Sequence, residues 1–208
     1  NLIDEISEIL QKIANWPKPE IITYQDLFES YLNFNPHNIH INNNTNLKSI
    51  AKQYNCYPIE GLEYPSDDDL LMLLFSKIIE PNFANNKPIF VIDYPITQAA
   101  LANTKSIKNK KNNKDIEYKV AKRFELYYKG IELANGYDEL TNPIIQLERF
   151  KQDLKIRKKN NLPQVPIDYK LIDAMRIKPL PQCAGVALGL DRFIAIILNK
   201  PDISEVIF

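Results

Sequence analysis

The sequence predicts an α+β fold in which a mainly antiparallel sheet is flanked by helices. Helical signals fill residues 1–82, whereas the apolar, β-branched and aromatic runs typical of strands follow residue 83. No segment is repeated, so the pattern favours a layered domain over a repeat array. We expect residues 1–208 to form a single domain, with a helical layer in 1–82 and a sheet in 83–208.

The first third of the chain contains the signals of four helices. Apolar residues recur at helical spacing from Leu2 to Ile13, so the chain begins in or just before a helix. Three later helices begin at residues that commonly cap helices. They are predicted from Thr23 to Leu32, from Thr45 to Tyr54, and from Ser66, with Asp69 as its capping partner, to Ile79.

The rest of the chain alternates between strands and helices. Three runs with strand character are Pro88 to Tyr94, Phe124 to Leu133, and Cys183 to Gly189. Asn142-Pro143 is a typical start for a long helix, and the basic run from Lys155 to Lys159 suits its C-terminal end. Two shorter helices are predicted from Asp168 to Arg176 and from Asp191 to Leu198.

Composition narrows the possible function classes. The 26 basic and 26 acidic residues balance, which argues against a protein that mainly coats nucleic acid. The apolar run from Phe193 to Leu198 is too short to cross a bilayer, and the N-terminal residues lack the pattern of a secretion signal. We therefore expect a cytoplasmic protein with no membrane partner.

Several polar and sulfur-containing residues are not expected to form sites. Cys56 and Cys183 lie far apart without CxxC spacing, so we predict two buried small side chains and neither a disulfide framework nor a zinc site. His37 and His40 are predicted to face solvent in an Asn-rich connection. The basic run from Lys105 to Lys114 is predicted to be a solvated loop, with a surface for an acidic partner as the alternative.

Three glutamates, Glu125, Glu132 and Glu139, follow one another at intervals of seven residues. An odd separation places side chains on opposite faces of a strand, so they converge only if the chain turns or bulges between them. Gly130 and Gly136 lie in the two intervals and can supply such irregularities. Converging carboxylates can hold Mg²⁺ beside a polyphosphate, transfer protons or receive an ammonium group. Separated ones are typical of the solvated side of a sheet, and spacing alone leaves both interpretations open.

The last strand is predicted to run directly into a helix that has Arg192 in its first turn. A cation is unfavourable beside the positive end of the helix dipole unless an anion is bound there. In that interpretation Arg192 and nearby amides hold a phosphate, and Gly189 lets it approach the backbone. The alternative is that Asp191 caps the helix and Arg192 pairs with a surface acid.

Taken together, these segments resemble the catalytic core of the class II lysyl-tRNA synthetase family, most closely its branch of shortened ligases that modify elongation factor P. The resemblance is carried by FELYYKGIELANGYDELT at 124–141, LPQ at 162–164 and PQCAGVALGLDR at 181–192. The last stretch corresponds to motif 3 of that family. The resemblance extends over most of the chain, weakens before about Leu70, and implies the class II synthetase-like antiparallel sheet flanked by helices.

The resemblance also implies a nucleotide site. Glu125 and Glu132 would bind Mg²⁺ and ATP, with the backbone around Leu133 beside the adenine nucleotide. Gly189 would line the same site, and Arg192 would contact the ATP phosphates. Glu132 and Arg192 would thereby be the catalytic residues of a reaction in which a carboxylate attacks the α-phosphorus of ATP and forms an acyl-adenylate.

For the amino acid substrate, the resemblance implies a pocket formed by Glu139, Asn135 and Ala187, with Glu139 taking an amino group. Synthetases of the family typically have glycine in place of Ala187, and a methyl-sized change in a pocket is worth about 1–3 kcal/mol of discrimination. Ala187 and Cys183 both favour a ligase that transfers lysine or (R)-β-lysine to elongation factor P. The alternatives are a lysyl-tRNA synthetase fragment and a non-catalytic relative that binds a partner. We do not expect tRNA as a substrate, because no part of the chain resembles an anticodon-binding domain.

Two motifs that the family carries upstream are not found in the sequence. Motif 1 forms the dimer interface, and motif 2 supplies an arginine that clamps the α-phosphate. We therefore expect the C-terminal part of a longer protein, incomplete at its N-terminal side. We expect it to be inactive or severely impaired alone, and the full-length parent to be a homodimer. The stretch from Lys105 to Lys119 is also longer than the loop that the family usually has there.

Overall fold

A computed structural model describes residues 1–39, 46–59, 65–84, 86–111 and 114–207. Among the seven α-helices of these described ranges, six follow a residue whose side chain accepts a backbone N–H of the first turn. The helices are α1 (Leu2–Ala14), α2 (Tyr24–Leu32), α3 (Leu47–Gln53), α4 (Asp67–Leu74), α5 (Pro143–Lys159), α6 (Tyr169–Ile177) and α7 (Leu190–Ile197). A π-helical turn, Phe75–Ile79, continues α4, and a 3₁₀ turn, Glu80–Ala84, follows it.

The capping residues show why the predicted helices form where they do. Thr23 accepts from the N–H of Asp26 at 3.0 Å, and Ser66 and Asp69 form a reciprocal capping box. Asn142 caps α5 with Pro143 in its first turn. The predicted starting residue Thr45 lies outside the described residues, and the side chain of Asn46 caps α3. The other predicted helix boundaries are confirmed to within about two residues, and α4 reaches Ile79 only through its π-helical turn.

In the part of the chain that the structure describes, six strands form one sheet, as predicted for a mainly antiparallel α+β domain. They are β1 (Glu20–Thr23), β2 (Ile89–Pro95), β3 (Thr104–Lys111), β4 (Lys114–Tyr128), β5 (Ile131–Asp138) and β6 (Ala184–Leu188). The order is β1-β2-β4-β5-β6, and β3 pairs with the first half of β4. Only the pair β1–β2 is parallel among the described strands. The strand β1 lies inside the segment predicted to be mainly helical and was missed.

Two hydrophobic cores pack against opposite faces of the sheet. Alternate residues of a strand point to opposite sides, so Phe90 and Val91 belong to different cores, as do Leu126 and Tyr127. Helices α2, α3 and α4 cover one face, whereas α1 and α7 cover the other. The face beneath α2–α4 is called the helix-layer face below, because it carries the polar residues of the candidate site.

The predicted strand from Phe124 to Leu133 is two strands, β4 and β5, joined by a tight turn. Lys129 and Gly130 both have left-handed φ angles, of 52° and 74°, and reverse the chain. Glycine adopts that conformation without steric cost, which explains Gly130. The reversal places β5 antiparallel beside β4.

The basic run from Lys105 to Lys114 was predicted to be a loop, and this prediction is wrong. It forms β3 and the start of β4, with a continuous antiparallel register from Thr104 opposite Ala121 to Lys111 opposite Lys114. Pairing with a 15-residue strand satisfies the backbone groups along its length. That pairing outweighs the weak strand preference of lysine and asparagine.

Two further residues differ from their predicted environments. Cys56 is buried as expected, but Cys183 is exposed because it precedes the end strand of the sheet. The ring of His37 stacks on that of Tyr118 at 5.0 Å, where burial lowers the pKa of His37 to about 4. The predicted solvent-facing position of His37 is therefore wrong, because β4 brings Tyr118 over it. His40 lies outside the described residues.

A helix that crosses a bilayer must be both long and apolar. None of the described helices combines the length and the apolar character that crossing a bilayer needs.

Candidate active site

Three neighbouring strands bring predicted site residues into one row on the helix-layer face. Glu125 of β4 lies directly opposite Asn135 of β5, which lies opposite Ala187 of β6. Residues that are directly opposite in an antiparallel sheet point to the same face and are in side-chain contact distance. The row therefore joins one expected nucleotide residue to two expected substrate residues.

A tight turn and one extra residue in β5 bring the glutamates to this face. The turn pairs Glu132 with Tyr127, so Glu132 shares the face of Glu125. Leu126 pairs with Ala134, so Leu133 is the unpaired residue of a register shift, is buried in the opposite core, and shifts Asn135 into the position opposite Glu125. From Asn135 onward the strand alternates regularly, which places Glu139 on the same face as well.

The prediction that Gly136 supplies an irregularity is wrong. Gly136 lies in regular register between Phe124 and Val186. A Cβ atom at this position would lie 2.3 Å from Cζ of Phe124, so the glycine leaves room for an aromatic ring of the opposite core. The irregularity between Glu132 and Glu139 is at Leu133.

Glu125 is the most enclosed of the three carboxylates, with an exposed fraction of 6%. Its Oε2 accepts hydrogen bonds from the hydroxyls of Tyr94, at 2.6 Å, and Tyr127, at 2.5 Å. Its Oε1 accepts from Nδ2 of Asn135 at 3.1 Å and from the guanidinium of Arg123. The four donors occupy the four lone-pair directions of a carboxylate. Burial, and then the charge of Glu125, raise the pKa of Tyr127 above its ordinary value.

Arg123 is a residue of the site that the sequence analysis did not identify. Besides Glu125, it donates to the carbonyl of Gln98 at 3.1 Å and, through Nε, to Oδ1 of Asn135 at 3.3 Å. Its guanidinium carbon lies 4.7 Å from the ring centroid of Tyr94. The sequence could have identified Arg123 by its position two residues before Glu125, since alternate residues of a strand share a face. Arg123 fixes the orientation of both Glu125 and Asn135.

A cavity of about 540 Å³ lies between this part of the sheet and the helical layer. Four carboxylates line it: Glu125, Glu132, Asp68 of α4 and, from the 3₁₀ turn after α4, Glu80. Burial and then the charge of Glu125 raise the pKa of Glu132, whereas Arg192 and Arg123 oppose this shift. Burial and the charges of Glu132 and Glu125 raise the pKa of Glu80. The cavity therefore favours a cation or a proton. Glu80 was missed because only the tertiary fold brings it here.

Arg192 reaches the same region from the start of α7. Its Nη1 donates to the carbonyl of Glu132 at 2.9 Å, and the N–H of Gly189 donates to the carbonyl of Leu133 at 2.8 Å. Gly189 precedes α7 without a side-chain cap, so the alternative in which Asp191 caps the helix is wrong. A Cβ atom on Gly189 would make only ordinary contacts, 3.6 Å or more from other atoms. Packing within the described protein therefore does not require glycine at this position.

Glu139 lies at the far end of β5, outside the lining of the acidic cavity. Its N–H donates to the carbonyl of Cys183 at 3.0 Å. A Cβ atom on Gly185 would lie 2.5 Å from Oε1 of Glu139, so this glycine makes room for the carboxylate. Burial and the neighbouring Asp138 raise the pKa of Glu139. The site therefore has two acidic ends on one face, separated along β5 by Asn135.

The expected Mg²⁺ ion requires oxygen ligands, which the carboxylates of the site could provide. Within the described ranges, no three His, Cys, Asp or Glu side chains form a group that could hold a metal ion alone. Mg²⁺ commonly uses one or two carboxylates together with phosphate oxygens and water, and Glu132 and Glu125 can provide such a partial set. The residues fit a metal that arrives with a polyphosphate, provided that Glu125 exchanges one of its present donors.

Replacing Glu80 by glutamine should increase the free energy of unfolding at pH 7. The pKa of Glu80 is higher in the folded protein than in the unfolded chain. The contribution of Glu80 to the free energy of unfolding is therefore greatest below the pKa of the unfolded chain, and it is lost as the pH rises through the pKa of the folded protein. We expect a gain of up to about 0.5 kcal/mol, because Glu80 is only partly buried and solvent screens its charge. Urea unfolding at pH 7 and pH 4 measures the change in the free energy of unfolding, and the difference between variant and wild type should be smaller at pH 4. A loss of stability at pH 7 would contradict the repulsion of Glu80 by Glu125 and Glu132.

An antiparallel sheet flanked by helices, with a motif 3 strand that runs into an arginine-bearing helix, is the arrangement of a class II aminoacyl-tRNA synthetase-like domain. The family model described as "tRNA synthetases class II (D, K and N)" matches residues 1–208, and the chain belongs to this family. It is 42% identical over 206 residues to the elongation factor P–(R)-β-lysine ligases of Histophilus somni strains 2336 and 129Pt. These alignments cover 99% of this chain and 59% of each relative, so the chain spans less than two thirds of their length.

Proposed function

We propose that the full-length protein activates (R)-β-lysine or lysine with ATP and transfers it to a lysine side chain of elongation factor P. The observation that carries the proposal is the row from Glu125 through Asn135 to Ala187, with acidic groups at both ends of the face and Arg192 beside Glu132. The names of the relatives support the choice of substrate and acceptor.

The nucleotide occupies the end of the face near Glu132 in this proposal. Arg192 contacts the ATP phosphates from the N-terminal end of α7. Gly189 carries no side chain there and leaves the backbone accessible. The N–H of Gly189 already donates to the carbonyl of Leu133. Bound Mg²⁺ would neutralise the charge of the phosphates that leave as pyrophosphate. Glu132 and Glu125 would hold it, because their mutual repulsion makes a cation favourable between them.

The amino acid occupies the end near Glu139. The carboxylate of Glu139 receives an ammonium group of the substrate, and Asn135 orients the substrate from the middle of the row. Arg123 and Glu125 fix the position of Asn135, and the missing side chain on Gly185 leaves room for the carboxylate of Glu139. In this proposal the substrate carboxylate faces the nucleotide.

The reaction then proceeds in two steps. A carboxylate oxygen of the amino acid attacks the α-phosphorus of ATP, and the bond to the β-phosphate breaks to release pyrophosphate. The amine of the acceptor lysine then attacks the acyl carbon, AMP leaves with the bonding electron pair, and the amine loses a proton. No covalent enzyme intermediate is required, because the site acts through positioning and charge neutralisation.

The same proposal includes the acceptor, the cellular compartment and the oligomeric state. Elongation factor P is the acceptor, tRNA is not a substrate, and the full-length protein acts in the cytoplasm as a homodimer. Ala187 lies in the floor of the amino acid site, next to Asn135. Its methyl group would favour the β-amino acid over lysine, with a discrimination of about tenfold.

The test is ATP–pyrophosphate exchange by the full-length protein with (R)-β-lysine and with lysine, followed by mass spectrometry of elongation factor P. We expect exchange with both amino acids, a preference for (R)-β-lysine, and a mass increase of the acceptor. The variant Ala187→Gly should shift the preference toward lysine by about tenfold. Exchange with lysine only, followed by charging of tRNA, would overturn the acceptor, and no exchange with either would overturn the adenylation step.

A further inference from the structure

A short turn at residues 99–103 holds the backbone on both sides of Glu139. Ala102 forms an antiparallel bridge with Glu139. Two hydrogen bonds flank the bridge: Asn103 N donates to Asp138 O at 2.6 Å, and Leu140 N donates to Leu101 O at 2.8 Å. The other edge of this backbone is held by the bond from Glu139 N to Cys183 O. Glu139 therefore depends on the turn for the position of its main chain.

The turn is itself held by Arg149 of α5. One guanidinium nitrogen, Nη1, donates to the carbonyl of Ala100 at 2.8 Å and to that of Ala102 at 2.6 Å. Ala100 has a φ angle of 47°, a conformation that residues with a Cβ atom rarely adopt. Such a backbone persists only where its surroundings fix it. Within the described residues Arg149 forms no ion pair, so its charge is directed at these two carbonyl oxygens.

The side chain of Glu139 has little room to move. Its Oε1 already occupies the space that a side chain on Gly185 would need. A carboxylate that receives an ammonium group must keep both its distance and its direction, since charge-assisted hydrogen bonds are short and directional. A shift of the 99–103 turn would move Glu139 along the strand and away from that space.

We propose that Arg149 is a positioning residue for the amino group of the substrate. It acts through the 99–103 turn on Glu139 and does not touch the substrate, the nucleotide or the reacting atoms. The inference rests on the proposed function, since it assigns Arg149 to the recognition of the amino acid by Glu139. It predicts an effect on the amino acid that is separate from any effect on ATP.

The first measurement uses two variants of the full-length protein in ATP–pyrophosphate exchange. Arg149→Met keeps the length of the side chain but removes every donor, and should raise the KM for the amino acid about tenfold with the KM for ATP unchanged. Arg149→Lys keeps a cation that can reach one carbonyl, and should raise the KM for the amino acid only about threefold. Equal increases in both KM values would overturn the proposal.

The second measurement asks whether Arg149 acts through Glu139. In a double-mutant cycle, Arg149→Met should have little further effect on the KM for the amino acid once Glu139 is replaced by glutamine. Additive effects of the two substitutions would contradict the coupling. Arg157→Met is the matched control, because Arg157 lies on the same helix and donates to the carbonyl of Pro163 instead. It should leave both KM values unchanged.

Amide hydrogen exchange separates this inference from the proposed function. In Arg149→Met the amides of Leu140 and Asn103 should exchange about tenfold faster, while amides in the middle of β4 keep their rates. Unchanged exchange at both amides would overturn the proposal even if the wild-type protein activates the amino acid. Faster exchange at these amides, in a protein that shows no amino acid-dependent reaction, would leave Arg149 as the support of this backbone and would overturn only the proposed function.

Discussion

Replacement of Arg192 by alanine is expected to reduce kcat/KM for ATP in pyrophosphate exchange about 100-fold, the typical loss when one preorganised donor to a developing charge is removed. Arg192 is exposed, and its single described hydrogen bond goes to the backbone carbonyl of Glu132. Its removal also withdraws the positive charge that lowers the pKa of Glu132. The loss should appear in nucleotide binding and in chemistry, while the KM for the amino acid changes little.

The folded state should tolerate this substitution. The free energy of unfolding of Arg192→Ala should lie within about 0.5 kcal/mol of the wild-type value, as for other exposed residues. Arg176→Ala is a suitable control, since Arg176 is an exposed arginine of α6 that pairs with Asp173 at 3.3 Å. An ATP affinity in Arg192→Ala equal to that of Arg176→Ala would remove Arg192 from the nucleotide site.

Replacement of Glu125 by leucine is expected to lower the free energy of unfolding by about 3–5 kcal/mol, as when one partner of a buried ion pair is removed. The guanidinium of Arg123 would remain in a partly buried site without its carboxylate. Two phenol hydroxyls, of Tyr94 and Tyr127, would lose their acceptor at the same time. Urea unfolding monitored by circular dichroism measures the change.

Two comparisons isolate the cause of that loss. Glu125→Gln keeps one acceptor oxygen and should lose less than Glu125→Leu, because the phenol hydroxyls retain a partner. Glu148→Leu places the same substitution at an exposed position of α5 and should change stability by no more than about 0.5 kcal/mol. If Glu125→Leu were no more destabilising than Glu148→Leu, the buried network would not contribute to folding.

Local signals explain which parts of the fold were predictable. Thr23, the Ser66–Asp69 box and Asn142-Pro143 act on the first turn of their own helices, so the sequence near each helix start was sufficient. The four-residue strand β1 has no comparable local signal in the sequence, since its pairing partner in β2 is 69 residues away along the chain. The strand formed by Lys105 and its neighbours was hidden for the same reason, because its stability depends on β4.

The candidate site was predictable where adjacent residues create it. A turn or bulge at Gly130 was the predicted condition for convergence, and the turn that forms there brings Glu125 and Glu132 together. The residue that brings Glu139 to the same face, Leu133, was not recognisable, since a register shift is a property of two paired strands. Arg149 acts on carbonyl groups 47 residues away, and no local pattern reports such a contact.

The hydrogen bonds of Glu125 have a consequence for how the substrate range of such a protein can change. This side chain ties together β2, β4 and β5, so substitutions near it alter folding before they alter recognition. Ala187 and Gly185 lie on the last strand and are free of that network. Under the proposed function, new amino acid preferences would therefore arise by exchanging small residues along β6, while selection for a stable fold keeps the interior carboxylate unchanged.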